Sequence, residues 1–285
     1  MDRIYNVRGG RGGDASLLVG VQKTALIDCG MAYCASDLIK NIKKVLGTRS
    51  LDYVFVSHSH YDHIGGIPYL KCEWPNLIVC GSEYDQRILR RSTALKTIRE
   101  LSREASKIYA EGLFDDCNDD LLKIDAAVTD GDIYDLGNLT VQVVKTPGHT
   151  QGTLSFLVNQ EILFASESTG TFNSSGLIIP TFIVSYSQSI ESIKKCQALN
   201  PKFIYSPHYG LINPSETLNF WQKSLEAAER SRYFVLHYHD LGYSEEELLL
   251  EYEKVFRDEE TRTEQPFNAF RINTRSMIRA LLDRS

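Results

Sequence analysis

The sequence contains no long apolar run. In a chain of 285 residues, none of the apolar stretches approaches the roughly 20 residues that a helix needs to cross a membrane. The opening residues, Met1-Asp2-Arg3-Ile4-Tyr5, also lack the basic and then apolar pattern of a secretion signal. These absences predict a cytoplasmic protein with no membrane partner.

Closely spaced cysteine pairs are also missing. The six cysteines include no Cys-x-x-Cys spacing, and a chain of this length needs no disulfides to stabilise its core. We interpret all six as reduced thiols, which agrees with a cytoplasmic location.

An excess of positive charge is absent as well. The formal net charge is -6, whereas a protein that binds nucleic acid generally carries a basic stripe. Apolar residues make up 42% and charged residues 24% of the chain, values that are ordinary for a soluble globular protein. No nucleic-acid partner is expected.

The sequence does contain a dense cluster of metal-binding side chains. The cluster reads Ser57-His58-Ser59-His60-Tyr61-Asp62-His63. It follows the apolar residues 53–56, which are typical of a buried strand. If the chain stays nearly extended, His58, His60 and Asp62 project to one side; if it then coils, Asp62 and His63 can bind a second ion. Imidazole and carboxylate ligands together suit Zn, Fe, Mn or Ni.

A His-x-His-x-Asp-His motif after a strand is the signature of the metallo-β-lactamase superfamily, which this chain resembles along nearly its full length. Three further motifs of that family follow in order. They are a Gly-His-Thr turn containing His149, a carboxylate after an apolar strand, Glu167, and a last histidine after another strand, His208. The resemblance implies an α/β fold, a four-layer αβ/βα sandwich with a dinuclear metal site at one edge of its two sheets.

The resemblance also implies a role for each ligand. One ion is expected to bind His58, His60 and His149, and the other Asp62, His63 and His208, with Glu167 between them. Asp62, His63 and Glu167 are the expected catalytic residues, and Asp28 in an Asp-x-Gly motif is expected to support the ligand loop. The two divalent ions are expected to be Zn or Fe, with Mn as a third candidate.

Position 167 departs from the family, which usually has aspartate there. The extra methylene of Glu167 requires either the strand end to retreat or the metals to shift. In the alternative, Glu167 points away and the second metal binds weakly.

Position 60 favours hydrolysis over redox chemistry. Members that reduce oxygen or nitric oxide have glutamate where this chain has His60, and they carry a flavin domain that is absent here. Two cations about 3.5–4 Å apart make a hydroxide from a bridging water, which then attacks the substrate. A separate nucleophile is not needed, and no Gly-x-Ser-x-Gly elbow occurs.

After His208 the sequence predicts helices only. Asn213-Pro214 is typical of a helix start, Ser244 with Glu247 forms a capping box, and a last helix is expected around Asn268 to Leu282. We therefore predict a metallo-β-lactamase domain at residues 1–213 and a C-terminal helical cap at 214–285. The cap either roofs the metal site or forms the face of a homodimer.

A sandwich with such a cap resembles PqsE-type thioesterases. This implies a small-molecule ester or thioester substrate, most simply an apolar acyl group on CoA or on a carrier protein. The residues suggested as pocket walls, for which core packing is the alternative, are Phe182, Tyr186, Tyr209 and Phe270. The other hypotheses are a lactonase or phosphodiesterase using the same site, and a regulatory partner protein with vestigial hydrolase activity.

Three further segments have simpler interpretations. Arg8 to Gly13 is expected to be a flexible hairpin loop, and Asp115 to Asp120 an acidic loop. Glu83 to Gly112 is rich in helix formers and predicts one or two helices whose inner face includes Leu95, Ile98 and Ile108. His237 and His239 are expected to be surface histidines at the end of a helix.

Overall fold

The structure, a computed structural model, describes residues 3–112 and 119–282. It divides into two units, Met1–Val144 and Lys145–Ser285. The boundary predicted between residues 213 and 214 lies within the second unit and stays a prediction. The predicted acidic loop lies outside the described residues except for Asp119 and Asp120.

Six strands of the first unit hydrogen-bond to one another in chain order. They are β1 (Ile4–Asn6), β2 (Ser16–Val19), β3 (Thr24–Ile27), β4 (Tyr53–Phe55), β5 (Ile78–Ser82) and β6 (Ala126–Val128). β1 to β3 are antiparallel, and β3 to β6 are parallel. Ile27 of β3 pairs with Phe55 of β4, so these two strands end at the same level. The ligand motif therefore leaves the sheet beside the residue that follows β3, Asp28.

The helices of this unit connect its strands along the chain. They are α1 (Ala35–Leu46), α2 (Tyr61–Ile64), α3 (Ile67–Glu73), α4 (Glu83–Ile88) and α5 (Ser92–Tyr109). Between β4 and β5 the chain forms two short helices, α2 and α3, and the first begins inside the ligand motif. The glycines between them pack directly on neighbouring backbone. A Cβ atom on Gly65 would lie 2.3 Å from the backbone nitrogen of Ala32.

Two helices, α4 and α5, occupy the segment predicted at Glu83 to Gly112. Leu95 and Ile98 pack against the core as expected, but Ile108 is 53% exposed, so the prediction for that residue is wrong. The buried residues of α5 are instead the small Ser102, Ala105 and Ser106. Small side chains allow α5 to approach the ligand motif closely, and Ala105 joins a buried cluster with Tyr61 of α2.

A hairpin and a second group of strands follow. They are β7 (Ile133–Asp135), β8 (Thr140–Lys145), β9 (Leu154–Val158), β10 (Ile162–Phe164), β11 (Thr171–Phe172), β12 (Ile178–Ile179), β13 (Phe203–Ser206) and β14 (Gly210–Leu211). In the second unit the strand order is β14-β13-β10-β9, and β11 and β12 pair separately. β9 and β10 pair antiparallel and form a hairpin. Its turn residues Asn159 and Gln160 both have positive φ, as tight hairpin turns require.

The rest of the second unit is helical. Its helices are α6 (Tyr186–Ala198), α7 (Pro214–Asp240), α8 (Glu245–Phe256), α9 (Glu259–Glu264) and α10 (Phe267–Leu282). The predicted capping box at Ser244 is confirmed. The short α9, capped by Asp258, was not predicted. Among the described residues, no helix is long and apolar enough to span a membrane.

The capping box offers a test of helix stability. Replacing Ser244 with alanine removes the bond that the Glu247 amide donates to the serine hydroxyl. We expect the free energy of unfolding to fall by about 1 kcal/mol, measured by urea denaturation followed by circular dichroism. The matched control is Ser276→Ala, which replaces a half-buried serine inside α10 that bonds its own helix and should be nearly neutral. Equal effects of the two substitutions would contradict the assignment.

Candidate metal centre

The ligand loop of the first unit gathers three imidazoles directly after β4. His58 and His63 are buried and His60 is half-buried. Nε2 of His58 lies 2.9 Å from Nδ1 of His60, and the ring centroids of His58 and His63 are 4.3 Å apart. The carboxylate of Asp62 lies 3.6 Å from Nε2 of His63. The four side chains that the sequence suggested as ligands in this unit are thus brought together.

Asp28 holds the two ends of this loop. Its carboxylate accepts hydrogen bonds at 2.8 Å from the backbone N–H and from the hydroxyl of Ser57. It also accepts one at 2.9 Å from Nδ1 of His63. Because a carboxylate accepts from this nitrogen, Nδ1 of His63 carries the proton and Nε2 presents a lone pair. The expected supporting role of Asp28 is confirmed.

The glycine-rich loop also contacts the ligand motif. Gly12 and Gly13 are buried, and a Cβ atom on Gly13 would lie 2.6 Å from the carbonyl oxygen of Asp62. No other residue leaves room for this approach. Its glycines therefore allow close packing against the backbone of a predicted ligand, a role that the description as a hairpin loop did not include.

A second buried carboxylate, Asp85 on α4, supports the middle of the ligand loop. It accepts from the backbone N–H of Ser59 at 3.2 Å and from the Ser59 hydroxyl at 2.6 Å. It also accepts from the hydroxyl of Ser82 at 2.5 Å. Burial raises the pKa of Asp85, while the bonds from Ser59 and Ser82 act in the opposite direction. The residue between His58 and His60 is thus tied to a helix outside the motif.

His149 in the second unit is oriented from two sides. Its backbone N–H donates to the hydroxyl of Ser168 at 2.8 Å, and its Nδ1 lies 2.5 Å from the carbonyl oxygen of Thr181. A carbonyl oxygen only accepts, so Nδ1 carries the proton and Nε2 presents the lone pair. The Thr181 hydroxyl in turn donates to the carbonyl oxygen of Glu167. Thr181 therefore connects two of the predicted ligands.

Glu167 and His208 are brought together by neighbouring parallel strands. Phe164 of β10 pairs with Tyr205 of β13. Glu167 follows Phe164 by three positions, and His208 follows Tyr205 by the same number. Oε1 of Glu167 lies 3.3 Å from Nε2 of His208. His208 has a φ of +66°, a left-handed conformation that costs a non-glycine residue about 1–3 kcal/mol. The strained backbone conformation thus occurs at the residue whose imidazole contacts the Glu167 carboxylate.

These donors fit a divalent metal. Groups of imidazole and carboxylate side chains among the described residues could bind an ion, and mixed ligands of these two types suit Zn, Fe or Mn. The two histidines with a defined tautomer, His63 and His149, each keep Nε2 for the metal by donating from Nδ1. Metal-binding histidines in proteins generally show this arrangement. Burial raises the pKa of the nearby Cys29 thiol, which keeps it protonated.

The residues suggested as pocket walls have different environments. Phe182 and Phe270 are buried in the core of the helical region, whereas Tyr186 and Tyr209 are half-buried. Burial raises the pKa of Tyr186 to about 12, and its hydroxyl donates to Glu229 at 2.5 Å. The role of all four as pocket walls stays a prediction. His237 and His239 are exposed, as expected.

Sequence reasoning missed three supporting residues, Asp85, Ser168 and Thr181. Asp85 has a faint signal, since Ser82 and Asp85 have the spacing of a helix cap, but nothing in that pattern points to Ser59. Thr181 accepts the bond from His149 through its backbone carbonyl oxygen. Because every residue has such an oxygen, the sequence gives no signal for this contact. Ser168 adjoins Glu167 and carries no pattern of its own.

The family model that describes the metallo-β-lactamase superfamily matches residues 8–208. The chain belongs to this superfamily. Members of the superfamily are generally metal-dependent hydrolases, and the match extends over all seven predicted ligands. The predicted fold class is confirmed as an α/β metallo-β-lactamase fold with two β-sheets and a C-terminal helical region. The finer resemblance to PqsE-type thioesterases stays a prediction.

Two curated relatives illustrate the range of similarity within the metallo-β-lactamase superfamily. The metallo-β-lactamase fold-containing protein ST1585 of Sulfurisphaera tokodaii is 27% identical over 206 residues, which cover 70% of this chain and 73% of that protein. A hydroxyacylglutathione hydrolase of Aliivibrio fischeri is 26% identical over 118 residues, which cover 41% of this chain and 33% of the hydrolase. The chain thus spans most of ST1585 but about a third of the hydrolase.

Solved structures of metallo-β-lactamase proteins show the same fold. The crystal structure of ST1585 has a TM-score of 0.61 at 25% identity and covers 80% of this chain and 85% of that one. TTHA1429 from Thermus thermophilus, a metallo-β-lactamase family protein, has a TM-score of 0.65 at 16% identity. That match covers 99% of this chain and 93% of TTHA1429. The similarity in fold therefore extends through the C-terminal helices.

Asp28 provides a direct test of the ligand loop. In Asp28→Asn, an amide nitrogen beside His63 donates where the carboxylate accepted, which moves the ring proton to Nε2 and removes the lone pair. We expect metal affinity to fall by about 10–100-fold, measured by competition with a chromogenic chelator.

The matched control is Asp37→Asn, which changes an exposed carboxylate on α1 and should bind metal as the unaltered protein does. Unchanged affinity in a folded Asp28→Asn variant would show that Asp28 does not set the tautomer of His63.

Proposed function

We propose that this protein is a dinuclear metal-dependent thioesterase that hydrolyses an acyl thioester of CoA or of a carrier protein. The metal part of the proposal is carried by one observation, the protonated Nδ1 of both His63 and His149, which leaves Nε2 of each ring for an ion. The thioester part is supported by the match to hydroxyacylglutathione hydrolases, since acyl derivatives of the glutathione sulfur are thioesters.

The proposed ligands are those of the family motifs. His58, His60 and His149 would bind one ion, and Asp62, His63 and His208 would bind the other. Glu167 would be the ligand between them, in place of the usual aspartate. Because the set mixes imidazole with carboxylate, Zn and Fe are the favoured metals and Mn is the third.

Divalent ions held by these residues would lower the pKa of a bound water and stabilise negative charge that develops on a carbonyl oxygen. Among the groups proposed as catalytic, the side chain of Asp62 is 19% exposed, against 2% for His63 and 4% for Glu167. Asp62 is therefore the group that can exchange protons with solvent. We assign it to accept the proton of the attacking water and to pass that proton to the leaving sulfur as the carbon–sulfur bond breaks.

The buried residues have a positioning task. His63 keeps a fixed orientation because its Nδ1 donates to Asp28, and Glu167 is buried beside His208. Tyr186 and Tyr209, which are half-buried, are the favoured contacts for an apolar acyl group, with Phe182 and Phe270 packed behind. A homodimer through the C-terminal helices also stays a prediction.

The function is tested by metal analysis of the purified protein together with a screen for thiol release from acyl-CoA and acyl-glutathione esters. We expect about two equivalents of Zn or Fe and turnover of at least one thioester. His60→Ala should remove metal and lower turnover by more than about 100-fold. The reason is that losing a residue that only supports a ligand already lowers metal affinity or activity by about 10–100-fold.

The matched control is His237→Ala, which replaces an exposed histidine of α7 and should leave both readouts unchanged. Turnover of lactones or phosphodiesters without thioester turnover would replace the proposed substrate class but keep the metal site. Full turnover in the His60→Ala variant would contradict the mechanism itself.

A further inference from the structure

Asp85 lies outside every motif of the predicted site, yet it is a fully buried carboxylate. It belongs to the first turn of α4, where Ser82 is the N-cap. A helix cap accounts for part of its environment, since the Asp85 N–H donates to the Ser82 hydroxyl at 3.0 Å. Capping does not explain why the carboxylate also reaches another segment of the chain.

The two carboxylate oxygens of Asp85 serve different elements. Oδ2 accepts from the hydroxyl of Ser82 and completes the cap. Oδ1 accepts twice from Ser59, from its backbone N–H and from its hydroxyl. Oδ2 is therefore bonded to the start of α4, and Oδ1 is bonded to the ligand loop.

Both bonds to Oδ1 fix the conformation of a single residue that separates two ligands. A backbone N–H and a side-chain hydroxyl bonded to one acceptor restrict both the main chain and the rotamer of Ser59. The rings of His58 and His60 approach to 2.9 Å between Nε2 and Nδ1. This approach depends on the path of the main chain through Ser59.

We propose that Asp85 is a positioning residue for the metal ligand His60 and acts through Ser59. The inference rests on the proposed function, because it concerns a residue that we assign as a ligand. Asp85 stabilises the ligand loop before any ion binds, so that the loop loses little conformational entropy on binding. Its loss loosens His60 relative to His58 and weakens the binding of metal.

The test measures metal affinity by chelator competition in four variants of the full chain. Asp85→Ala should weaken binding by about 10–100-fold. Asp85→Asn should stay within a few-fold of the unaltered protein, because the amide oxygen can still accept from Ser59 while the amide nitrogen donates to Ser82. Ser59→Ala, which removes one of the two bonds to Oδ1, should fall between these two.

Ser82→Ala is the matched control. It removes the helix cap but leaves Ser59 bonded to Asp85, so it should lower the thermal unfolding midpoint of the metal-free protein without weakening metal binding. If Asp85 had only a structural role, Ser82→Ala and Asp85→Ala would each lose metal affinity in proportion to the fall in their thermal unfolding midpoints. That result, or unchanged affinity in Asp85→Ala, would overturn the proposal.

If Asp85→Ala does not fold, Ser59→Ala decides the question, and unchanged affinity in that variant overturns the proposal. A failure of the proposed function looks different. In that case the unaltered protein itself binds no divalent metal, whichever residue occupies position 85.

Discussion

The bond between the Asp28 carboxylate and Nδ1 of His63 is the interaction on which the ligand loop depends. A buried carboxylate is costly to remove from water unless its oxygens are hydrogen-bonded. Asp28 accepts three bonds, two from Ser57 at the start of the loop and one from His63 at its end. The same bonds that compensate its burial therefore close the loop and fix the tautomer of a ligand. Asp85 repeats this arrangement in the middle of the loop.

Parallel strands that end at one level explain why the chemistry gathers where it does. In the first unit, β3 and β4 end together, and Asp28 lies beside the ligand loop. In the second unit, β10 and β13 run in parallel register, and Glu167 and His208 follow at equal distances. Asp28 and His208 both have positive φ. Backbone strain of this kind collects at functional sites, where the surrounding structure over-determines it.

Much of this arrangement could be predicted from the sequence because it depends on local patterns. The spacing of His58, His60, Asp62 and His63 after an apolar strand indicated the ligand loop. Ser244 with Glu247 indicated the start of a helix. Other features depend on contacts between segments far apart along the chain. Asp85 reaches Ser59 from 26 positions away, and Thr181 orients His149 through a backbone oxygen that has no sequence signature. Ile108 is exposed because α5 buries its small residues Ser102, Ala105 and Ser106 instead, a choice of face that helical periodicity alone does not specify.

The central claim is that the ligand loop at positions 58–63 binds a divalent metal through Nε2 of His63. Anomalous diffraction from crystals of the metal-loaded protein, recorded at the absorption edge of the metal, tests it directly. We expect a peak bonded to Nε2 of His63 and to the carboxylate of Asp62. Peaks at other residues only, or no peak at all, would contradict the claim.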